Sequence, residues 1–412
     1  MPVSMQACSS MADCSMMKLA AGSHHTIALR SDGSVYTWGA NLDSDGGTPP
    51  SAVFAPALGR TLSGGADRDA NPGAVSIGGV SEVTGGCGVS VTIAGAAREV
   101  WSWGCRAGTG TNYCSLGNGT GGVNVPSPTA ALNGTSGTRF SGAEAVATGH
   151  FHTLAIKEDG SVWSWGQGEA LGQGTSGNQI YAGQVLAGQS RPALCSGSYL
   201  CDIKAISAHG CRHSVALHKD GGVLTWGYCT DGACGHGSTT NSSTPVRVSA
   251  GESAGAQFGC NNGYLCDIVA VSAGGYNATG STYALHKDGY VFAWGSNGFG
   301  QLGDGTNTRK LTPVLVRAPL AGVPAGYGNY LKDIVAITGG SHAHHVTAIA
   351  NDGTVWSWGA NSAGQVGDGT FTNRNRPVKV VRTGGSILTD VLAVAAGESH
   401  TMALLLDGTV WG

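Results

Sequence analysis

The stretch AVATGHFHTLAIKEDGSVWSWG at residues 145–166 contains the pattern that decides the fold. Two runs of β-favouring residues, TLAI and VWSWG, lie on either side of the dipeptide Asp159-Gly160. Asp-Gly between such runs is a strong hairpin signal, because both central residues of a type I′ turn need positive φ. The stretch therefore predicts an antiparallel hairpin whose second strand ends in Trp-Gly.

The same unit recurs along the chain, and Trp-Gly marks each copy. Successive markers are 65, 62, 61, 68, 64 and 53 residues apart. Six of the seven copies carry Asp-Gly before the marker, and the second copy has Gly95-Ala96 in that region instead. Trp101, Trp163 and Trp356 lie two positions before a marker, which is the same face of a strand. The seven marker tryptophans are Trp38, Trp103, Trp165, Trp226, Trp294, Trp358 and Trp411.

A fourth run follows the marker after a glycine-rich loop such as NGFGQLGDGT or NSAGQVGDGT. This run opens with proline, which suits the edge strand of a sheet. Four short antiparallel strands in seven copies predict an all-β protein, a seven-bladed β-propeller of four-stranded blades. The proline openings are Pro245-Val246, Pro313-Val314 and Pro377-Val378.

The last copy stops at Trp411-Gly412 and so lacks a fourth strand of its own. Pro2-Val3-Ser4-Met5 matches the fourth-strand openings PVRV, PVLV and PVKV. We therefore expect residues 1–7 to supply the fourth strand of the blade formed by 391–412. Residues 1–412 would then be one closed propeller domain.

The composition excludes several classes of protein. Glycine accounts for 70 of 412 residues, while charged residues make up only 11%, and seven copies of a glycine-rich repeat explain both values. A formal net charge of -3 gives no excess of basic residues for phosphates, so we expect no nucleic-acid partner. The hydrophobic fraction of 41% predicts a folded core, and we expect no membrane span and no signal peptide.

The unit resembles the regulator of chromosome condensation (RCC1) repeat, most completely from Trp294-Gly295 to the sequence QLGDGT at 301–306. The resemblance covers essentially the whole chain and implies a seven-bladed propeller. Family members include a nuclear exchange factor for a small GTPase, a plant ultraviolet-B photoreceptor and a secreted bacterial inhibitor of β-lactamases. The fold does not choose among such functions.

Two of these functions can be weighed from the residues. Photoreceptors of the family carry tryptophans in the turn after the repeat glycine, whereas here that turn reads GSHHT, GHFHT, GCRHS and GESHT. Ultraviolet sensing of that kind is therefore not expected. The basic tail and inserted hairpin of the exchange factor are also not evident in the sequence.

The twelve cysteines vary between repeats in pairs, which predicts disulfides. The segment between Cys195 and Cys201 aligns with that between Cys260 and Cys266, and the next copy lacks both cysteines. Loss of both partners together is expected if each pair is one bond. Disulfides persist in oxidising compartments, so we predict a secreted, periplasmic or cell-surface protein. The predicted pairs are Cys8–Cys14, Cys105–Cys114, Cys195–Cys201, Cys229–Cys234 and Cys260–Cys266.

Two cysteine questions stay open at this point. Cys87 and Cys211 have no assigned partner. Zinc is the alternative to disulfides, but zinc ligand pairs are usually closer in sequence, and two pairs must converge on one ion.

Four histidines, His25, His152, His213 and His400, occupy one repeat position, and we interpret them as structural residues that bond neighbouring turns. The cluster His342, His344 and His345 is the candidate for a metal test. We predict no catalytic residue and no cofactor, because no motif or unique pair of carboxylates stands out.

The remaining interpretation is a non-enzymatic extracellular scaffold that binds a protein partner or copies of itself through disulfide-stapled loops. Loops 1–2 and 3–4 of a four-stranded meander share one face, while the hairpin and blade-to-blade loops share the other. Candidate binding residues in the loops are Tyr113, Tyr228 and Phe299. The alternatives are a glycan-binding module or secreted enzyme, and an intracellular GTPase regulator of the exchange-factor type.

Overall fold

The computed structural model describes residues 16–22, 25–30, 35–39, 53–57, 79–86, 89–104, 116–120, 125–188, 197–208, 212–253, 258, 260, 262–276, 279–319, 329–340 and 344–412. These residues form twenty-seven β-strands and three short 3₁₀ turns, at Gly134–Ser136, Gly168–Leu171 and Gly251–Ser253. All strands pair in antiparallel meanders, one for each copy of the repeat. We call these sheets blades 1 to 7 in chain order.

The first three blades each contain four strands. Blade 1 consists of β1 (Met16–Ala21), β2 (His25–Arg30), β3 (Val35–Gly39) and β4 (Val53–Ala57). Blade 2 consists of β5 (Val80–Gly85), β6 (Val89–Ala94), β7 (Glu99–Gly104) and β8 (Val125–Ala130). Blade 3 consists of β9 (Ala143–Thr148), β10 (His152–Lys157), β11 (Val162–Gly166) and β12 (Gln179–Gln184).

Blades 4 to 6 repeat this arrangement, and blade 7 has three strands among the described residues. Blade 4 consists of β13 (Ile203–Ser207), β14 (His213–His218), β15 (Val223–Gly227) and β16 (Ser242–Arg247). Blade 5 consists of β17 (Ile268–Tyr276), β18 (Thr279–His286), β19 (Val291–Gly295) and β20 (Lys310–Leu315). Blade 6 consists of β21 (Ile334–Gly339), β22 (His345–Ala350), β23 (Val355–Gly359) and β24 (Arg374–Lys379). Blade 7 consists of β25 (Val391–Ala396), β26 (Thr401–Leu405) and β27 (Val410–Trp411).

The sheets are arranged in a ring around their first strands. The first strand of each blade contacts the first strand of the next, and β1 contacts β25. Leu19, Val83, Val146 and Val394, all on first strands, line a cavity at the centre of this ring. The predicted β-propeller of four-stranded antiparallel blades is thus confirmed; among the described residues six blades are complete, so the predicted number of seven complete blades is not confirmed. The strand predicted for residues 1–7 lies outside the described residues, so its place in blade 7 stays a prediction.

The marker tryptophans form the buried centre of the blade interfaces. Trp165, Trp226, Trp294 and Trp358 are all 0% exposed. Nε1 of Trp226 donates to the carbonyl of Ala170 in the preceding blade, and Nε1 of Trp294 donates likewise to Ala233. Burial of an indole with its N–H bonded contributes on the order of 3–5 kcal/mol, judged by the usual cost of Trp→Ala in a core. One repeat residue therefore joins each of these blades to its neighbour.

The assignment of Trp411 as the seventh marker is wrong. Trp411 pairs with Ala403, just as Trp356 pairs with Ala348, whereas the marker Trp358 pairs with Val346. Trp411 Nε1 donates to Thr409 Oγ1 at 3.1 Å, a bond that Trp163 makes with Ser161. Trp411 therefore occupies the position two residues before a marker. The matching interval, from Trp356 to Trp411, is 55 residues, so the last repeat is still shorter than the others.

The hairpin turns are at the predicted places but are of a different type. Gly160 has φ +76°, whereas Asp159 is not among the residues with positive φ, so the turn is not type I′. The amide of Gly160 bonds the carbonyl of Lys157, which gives a type I turn followed by a left-handed glycine. The Asp159 carboxylate accepts the amide of Ser161 at 2.9 Å and so stabilises the aspartate in its turn. Asp352 and Asp407 accept the amides of Thr354 and Thr409 in the same way. Asp32-Gly33 lies outside the described residues.

Candidate functional site

The repeat histidines bond side chains of the neighbouring blade. Their Nε2 atoms lie 2.8–3.2 Å from a Ser or Thr hydroxyl of the next blade. His400 of blade 7 reaches Thr26 of blade 1, a bond that closes the ring between residues 374 positions apart. The expected structural role thus takes the form of hydroxyl bonds between blades rather than backbone bonds within a turn. The pairs are His25–Ser90, His152–Ser214, His213–Thr282, His345–Thr401 and His400–Thr26.

The hydroxyl partners fix the tautomer of three of these histidines. Ser214 donates its only hydroxyl proton to the carbonyl of Ala170, and Thr282 and Thr401 donate likewise to Ala233 and Gln365. Each hydroxyl must then accept from the imidazole, so Nε2 carries the proton. Burial lowers the pKa of His152 and of His345 to about 3, and that of His213 to about 4. These rings are therefore neutral structural donors near neutral pH.

The two described members of the histidine cluster make separate contacts. His345 is buried and belongs to the inter-blade bonds just described, because it occupies the repeat position of the other histidines. His344 stacks on Phe299 at 4.8 Å between ring centroids. His342 lies outside the described residues, so the metal test of this cluster stays a prediction.

The predicted cysteine pairs are described for two of the five cases. Cys229 and Cys234 have sulfur atoms at disulfide distance and Cα atoms 5.1 Å apart. Cys260 and Cys266 also have sulfur atoms at disulfide distance, and their Cα atoms are 5.6 Å apart. The first pair lies in the loop between β15 and β16 and the second in the connection from blade 4 to blade 5, which are at opposite faces. For the other three pairs at least one cysteine lies outside the described residues: Cys8, Cys14, Cys105, Cys114 and Cys195, as do Cys87 and Cys211.

Loops 1–2 and 3–4 of blades 3 to 5 bring an arginine and several aromatic rings together on one face. The guanidinium of Arg212 lies 5.5 Å from the ring centroid of Phe151 and 5.2 Å from that of Tyr228. His150 stacks against Phe151 at 3.7 Å and approaches Tyr276 at 5.9 Å. Tyr276 is 47% exposed, at the tip of the long hairpin β17–β18. We call these five residues the Arg212 cluster.

The Arg212 cluster is electropositive and only partly shielded. Burial first, and the neighbouring Arg212 second, lower the pKa of His150 to about 4. Nε of Arg212 has no hydrogen-bond partner among the described residues. Arginine stacked between aromatic rings keeps its edge free to bond while its faces are desolvated. Nε of Arg212 is buried and the residue as a whole is half-buried, so the cluster holds a partly desolvated cation among these loops.

The sequence prediction found part of this face. Tyr228 belongs to the Arg212 cluster, and Phe299 stacks on His344 further round the same face, where it is 42% exposed. Tyr113 lies outside the described residues. Arg212, His150, Phe151 and Tyr276 are not among the residues predicted from sequence, although the turns GHFHT and GCRHS supply three of them.

The opposite face carries arginine–tyrosine pairs of a different kind. Arg247 lies 4.5 Å from the ring of Tyr264, and Arg317 lies 4.8 Å from the ring of Tyr330. Tyr264 forms an isolated β-bridge with Ser249, and Tyr330 with Arg317, in each case two residues after the fourth strand. The tyrosine and its bridge recur in successive blades and stabilise the blade-to-blade connection, while the two arginines come from different strand positions. Arg247 with Tyr264 therefore gives a structural control for the Arg212 cluster.

Metal-ligating side chains converge at one place in the described part of the chain. Ligand atoms of Cys229, Cys234 and His236 all lie within 4.8 Å of one another. No helix among the described residues has the length and apolar character to cross a membrane.

The fold and its site define a β-propeller scaffold with loop-borne surface clusters. The regulator of chromosome condensation (RCC1) repeat matches residues 220–279, 288–346 and 352–404, and a second description of the same repeat matches 18–45, 144–173 and 268–301. The chain belongs to the RCC1 repeat family.

Relatives and solved structures agree with this assignment. The chain is 27% identical to the ultraviolet-B receptor UVR8 of Arabidopsis thaliana over 88% of this chain and 69% of the receptor. It is 29% identical to the mitochondrial RCC1 domain-containing protein RUG3 of Arabidopsis thaliana, over 76% of this chain and 65% of that protein. It is 28% identical to the E3 ubiquitin-protein ligase HERC2 of Homo sapiens, but spans only 5% of that protein's length.

Two solved structures show the same fold. Human WBSCR16 gives a TM-score of 0.69 at 20% identity, over 95% of this chain and 88% of that one. Prp20p of Saccharomyces cerevisiae, which binds Gsp1p and histones, gives 0.61 at 21% identity, over 96% of this chain and 82% of that one. At these identities the likeness shows the fold alone.

Proposed function

We propose that this chain is a non-enzymatic protein-binding scaffold that engages its partner through the Arg212 cluster. The partner is another protein or a second copy of this chain. The stacking of Arg212 between Phe151 and Tyr228 carries the proposal. Arginine and tyrosine held in a rigid, partly desolvated group are the residue types enriched at binding hot spots.

Preorganisation supports the same interpretation. The five residues come from three neighbouring blades, and each is fixed by ring contacts rather than by an isolated loop. A surface that is already ordered costs less conformational entropy on binding. Yeast Prp20p is a relative in fold that binds proteins, which supports protein binding as the general role of such a face.

The compartment is part of this proposal. We place the protein in an oxidising environment, secreted, periplasmic or at a cell surface, with disulfides that stiffen its loops. The Cys229–Cys234 and Cys260–Cys266 geometry supports this placement. Alkylation of the protein as isolated from its source, followed by mass spectrometry, tests it, and twelve alkylated thiols would overturn it.

The binding proposal is tested by comparing the two faces. A photo-crosslinking amino acid in place of Tyr276 should capture the partner, while the same replacement of Tyr264 on the opposite face should not. Binding of that purified partner, or self-association in sedimentation velocity, is then measured for Arg212→Ala. We expect affinity to fall at least about tenfold, the usual loss at a hot-spot arginine.

Arg247→Ala is the matched control, because it also removes an arginine stacked on tyrosine. It should leave the affinity unchanged. Equal affinities for Arg212→Ala and the wild-type chain would overturn the proposed site, as would an equal loss in Arg247→Ala.

A further inference from the structure

The loop between the third and fourth strands of blade 4 carries two cysteines and a histidine at positions where its counterparts in blades 5 and 6 carry other residues. The glycines Gly227, Gly295 and Gly359 pair with equivalent residues of their blades, so the loops that follow them can be aligned. Cys229 then corresponds to Asn297 and Asn361, and Cys234 to Leu302 and Val366. His236 corresponds to Asp304 and Asp368.

A disulfide accounts for two of these three differences. It does not account for His236, which replaces an aspartate that hydrogen-bonds the loop in blades 5 and 6. Nδ1 of His236 is buried and has no hydrogen-bond partner among the described residues. An unpaired imidazole nitrogen beside two sulfur atoms is the donor set of a soft metal site.

We propose that Cys229, Cys234 and His236 bind a thiophilic d¹⁰ metal ion of the Zn²⁺ type when the Cys229–Cys234 bond is reduced. The ligand atoms lie within 4.8 Å of one another, and tetrahedral zinc ligands lie about 3.3–3.8 Å apart, so a shift of about 1 Å brings the three groups onto one ion. Both cysteines are 0% exposed, whereas His236 is half-buried, so an ion reaches the site from the side of the imidazole. Water takes the fourth position of a tetrahedral ion.

The metal-bound and disulfide states exclude each other, since the same two sulfurs serve both. Two molecules of a small thiol reduce the disulfide by transferring two electrons and two protons, and leave as their own disulfide. The metal ion then displaces the two thiol protons and binds the thiolates. The loop is therefore stapled by a covalent bond under oxidising conditions and by a metal ion under reducing ones.

The Cys260–Cys266 pair provides a matched control within the chain. It is also a local pair at disulfide distance, but it does not belong to a group of three metal-ligating residues in the described part of the chain. A site that needs His236 should distinguish the two pairs, whereas adventitious binding to any dithiol should not.

The experiment is an anaerobic Co²⁺ titration of the whole chain after phosphine reduction, with Zn²⁺ displacement to rank affinity. Wild-type protein should show thiolate-to-cobalt charge transfer and tetrahedral d–d bands. One equivalent of that signal should be lost in the triple variant Cys229→Asn, Cys234→Leu, His236→Asp, which carries the blade 5 residues at these three positions. Cys260→Ser with Cys266→Ser should keep that equivalent.

His236→Ala should weaken the Zn²⁺ affinity at least about tenfold. Equal cobalt spectra and stoichiometry for the wild type and the triple variant would overturn the site. Unchanged affinity in His236→Ala would also overturn it, because the binding would then be that of a simple dithiol. A circular dichroism spectrum confirms that each variant is folded before titration.

Discussion

The 3–4 loops of blades 4 and 5 share one backbone path but are stabilised by different chemistry. In blade 5, Asn297 is 1% exposed and donates to Asp304, Thr306 and Thr308, while its Oδ1 accepts the amide of Leu302. In blade 4 the corresponding residue is Cys229, which pairs with Cys234. The blade 5 loop is thus stabilised by the buried, fully hydrogen-bonded side chain of Asn297, and the blade 4 loop by the Cys229–Cys234 disulfide.

The 3–4 loop of blade 6 is stabilised by the same kind of hydrogen-bond network as that of blade 5. Asn361 donates to Asp368, Thr370 and Thr372 and accepts the amide of Val366. Burial raises the pKa of Asp368, but hydrogen bonds from Thr370 and Arg374 outweigh it, so that the net shift is downward. The propeller therefore requires the shape of the 3–4 loop, but either a hydrogen-bond network or a disulfide can stabilise that shape.

The reason for the common shape is that these loops hold the next blade. The carbonyl of Ala233 in the blade 4 loop accepts from both Thr282 and Trp294 of blade 5. In the blade 6 loop the carbonyl of Gln365 accepts from Thr401 of blade 7. Either chemistry must place this carbonyl correctly, because the inter-blade bonds depend on it.

The largest expected effect concerns the repeat histidines, whose hydroxyl partners bind the loop carbonyls in blade 4, which has the disulfide, and in blade 6, which has the asparagine network. We therefore expect it with either chemistry. The pKa values of His152, His213 and His345 lie near 3 to 4 in the folded chain, below the value of 6.5 of an exposed imidazole. Between these values the unfolded state binds more protons, so stability falls as pH drops from about 6.5 towards 4. Each histidine contributes up to about 1.4 kcal/mol per pH unit.

Denaturant unfolding at pH 7, 6 and 5 measures this slope. His345→Gln, which keeps an N–H donor but does not titrate, should flatten it. An equal slope in that variant would show that other groups cause the acid sensitivity.

The next-largest effect concerns the Asn297 network, which stabilises the blade 5 loop and is absent from the blade 4 loop, where a disulfide stands instead. Asn297→Ala should destabilise the protein by about 3 kcal/mol, because it leaves buried carbonyls and an amide unpaired. The exposed Asn307 in the same loop is the control, and Asn307→Ala should cost less than about 0.5 kcal/mol. Denaturant midpoints measure both, and similar values for the two variants would mean that the Asn297 network does not hold the loop.

Reduction should act on the blade 4 loop and leave the blade 5 loop unchanged. Loss of the short Cys229–Cys234 closure costs about 2 kcal/mol by the chain-entropy estimate. Hydrogen exchange by mass spectrometry should show faster exchange in residues 228–241 after reduction in a metal chelator, with residues 296–309 unaffected. Faster exchange in both loops would indicate that reduction acts through the whole propeller.

The smallest expected effect tests whether the hydrogen-bond network of the blade 5 loop can replace the disulfide of the blade 4 loop. The triple variant Cys229→Asn, Cys234→Leu, His236→Asp should unfold within about 1 kcal/mol of the oxidised wild-type protein, since the loop path already suits that network. Its stability should also lose the part of the reductant response that comes from this loop. A larger loss of stability would show that the other differences between the loops, such as Ala233 in place of Gln301 and Ser238 in place of Thr306, also matter for the network.

The architecture could be predicted from the sequence because the same repeat pattern occurs in every blade. Strand alternation, Asp-Gly and Trp-Gly each recur, so that an error in one copy is corrected by the others. The sequence prediction misplaced Trp411 because the dipeptide Trp-Gly was matched without its distance from Asp-Gly, which is four residues for Trp411, as for Trp356, and six for the marker Trp358. It assigned a type I′ turn because Asp-Gly suits both turn types, and the aspartate side-chain bond that selects the observed one is visible only in three dimensions.

The side-chain clusters in the loops were harder to predict from the sequence than the strands and blades. The Arg212 cluster joins loops of three blades, and no spacing along the chain relates Arg212 to Tyr276. His236 gave no signal beside the cysteine pair until the loops of blades 4 and 5 could be aligned through their strand register.

By itself the sequence determined the propeller, its repeat length, the buried tryptophans and the cysteine pairs to consider, because each depends on local patterns that repeat. Tertiary structure decided which residues meet: the ring-closing bond of His400 to Thr26, the stacking of Arg212 between two rings, and the convergence of His236 on two sulfurs. These contacts depend on how blades and loops turn towards one another, and that geometry is set by packing across the whole ring rather than by neighbours in the chain.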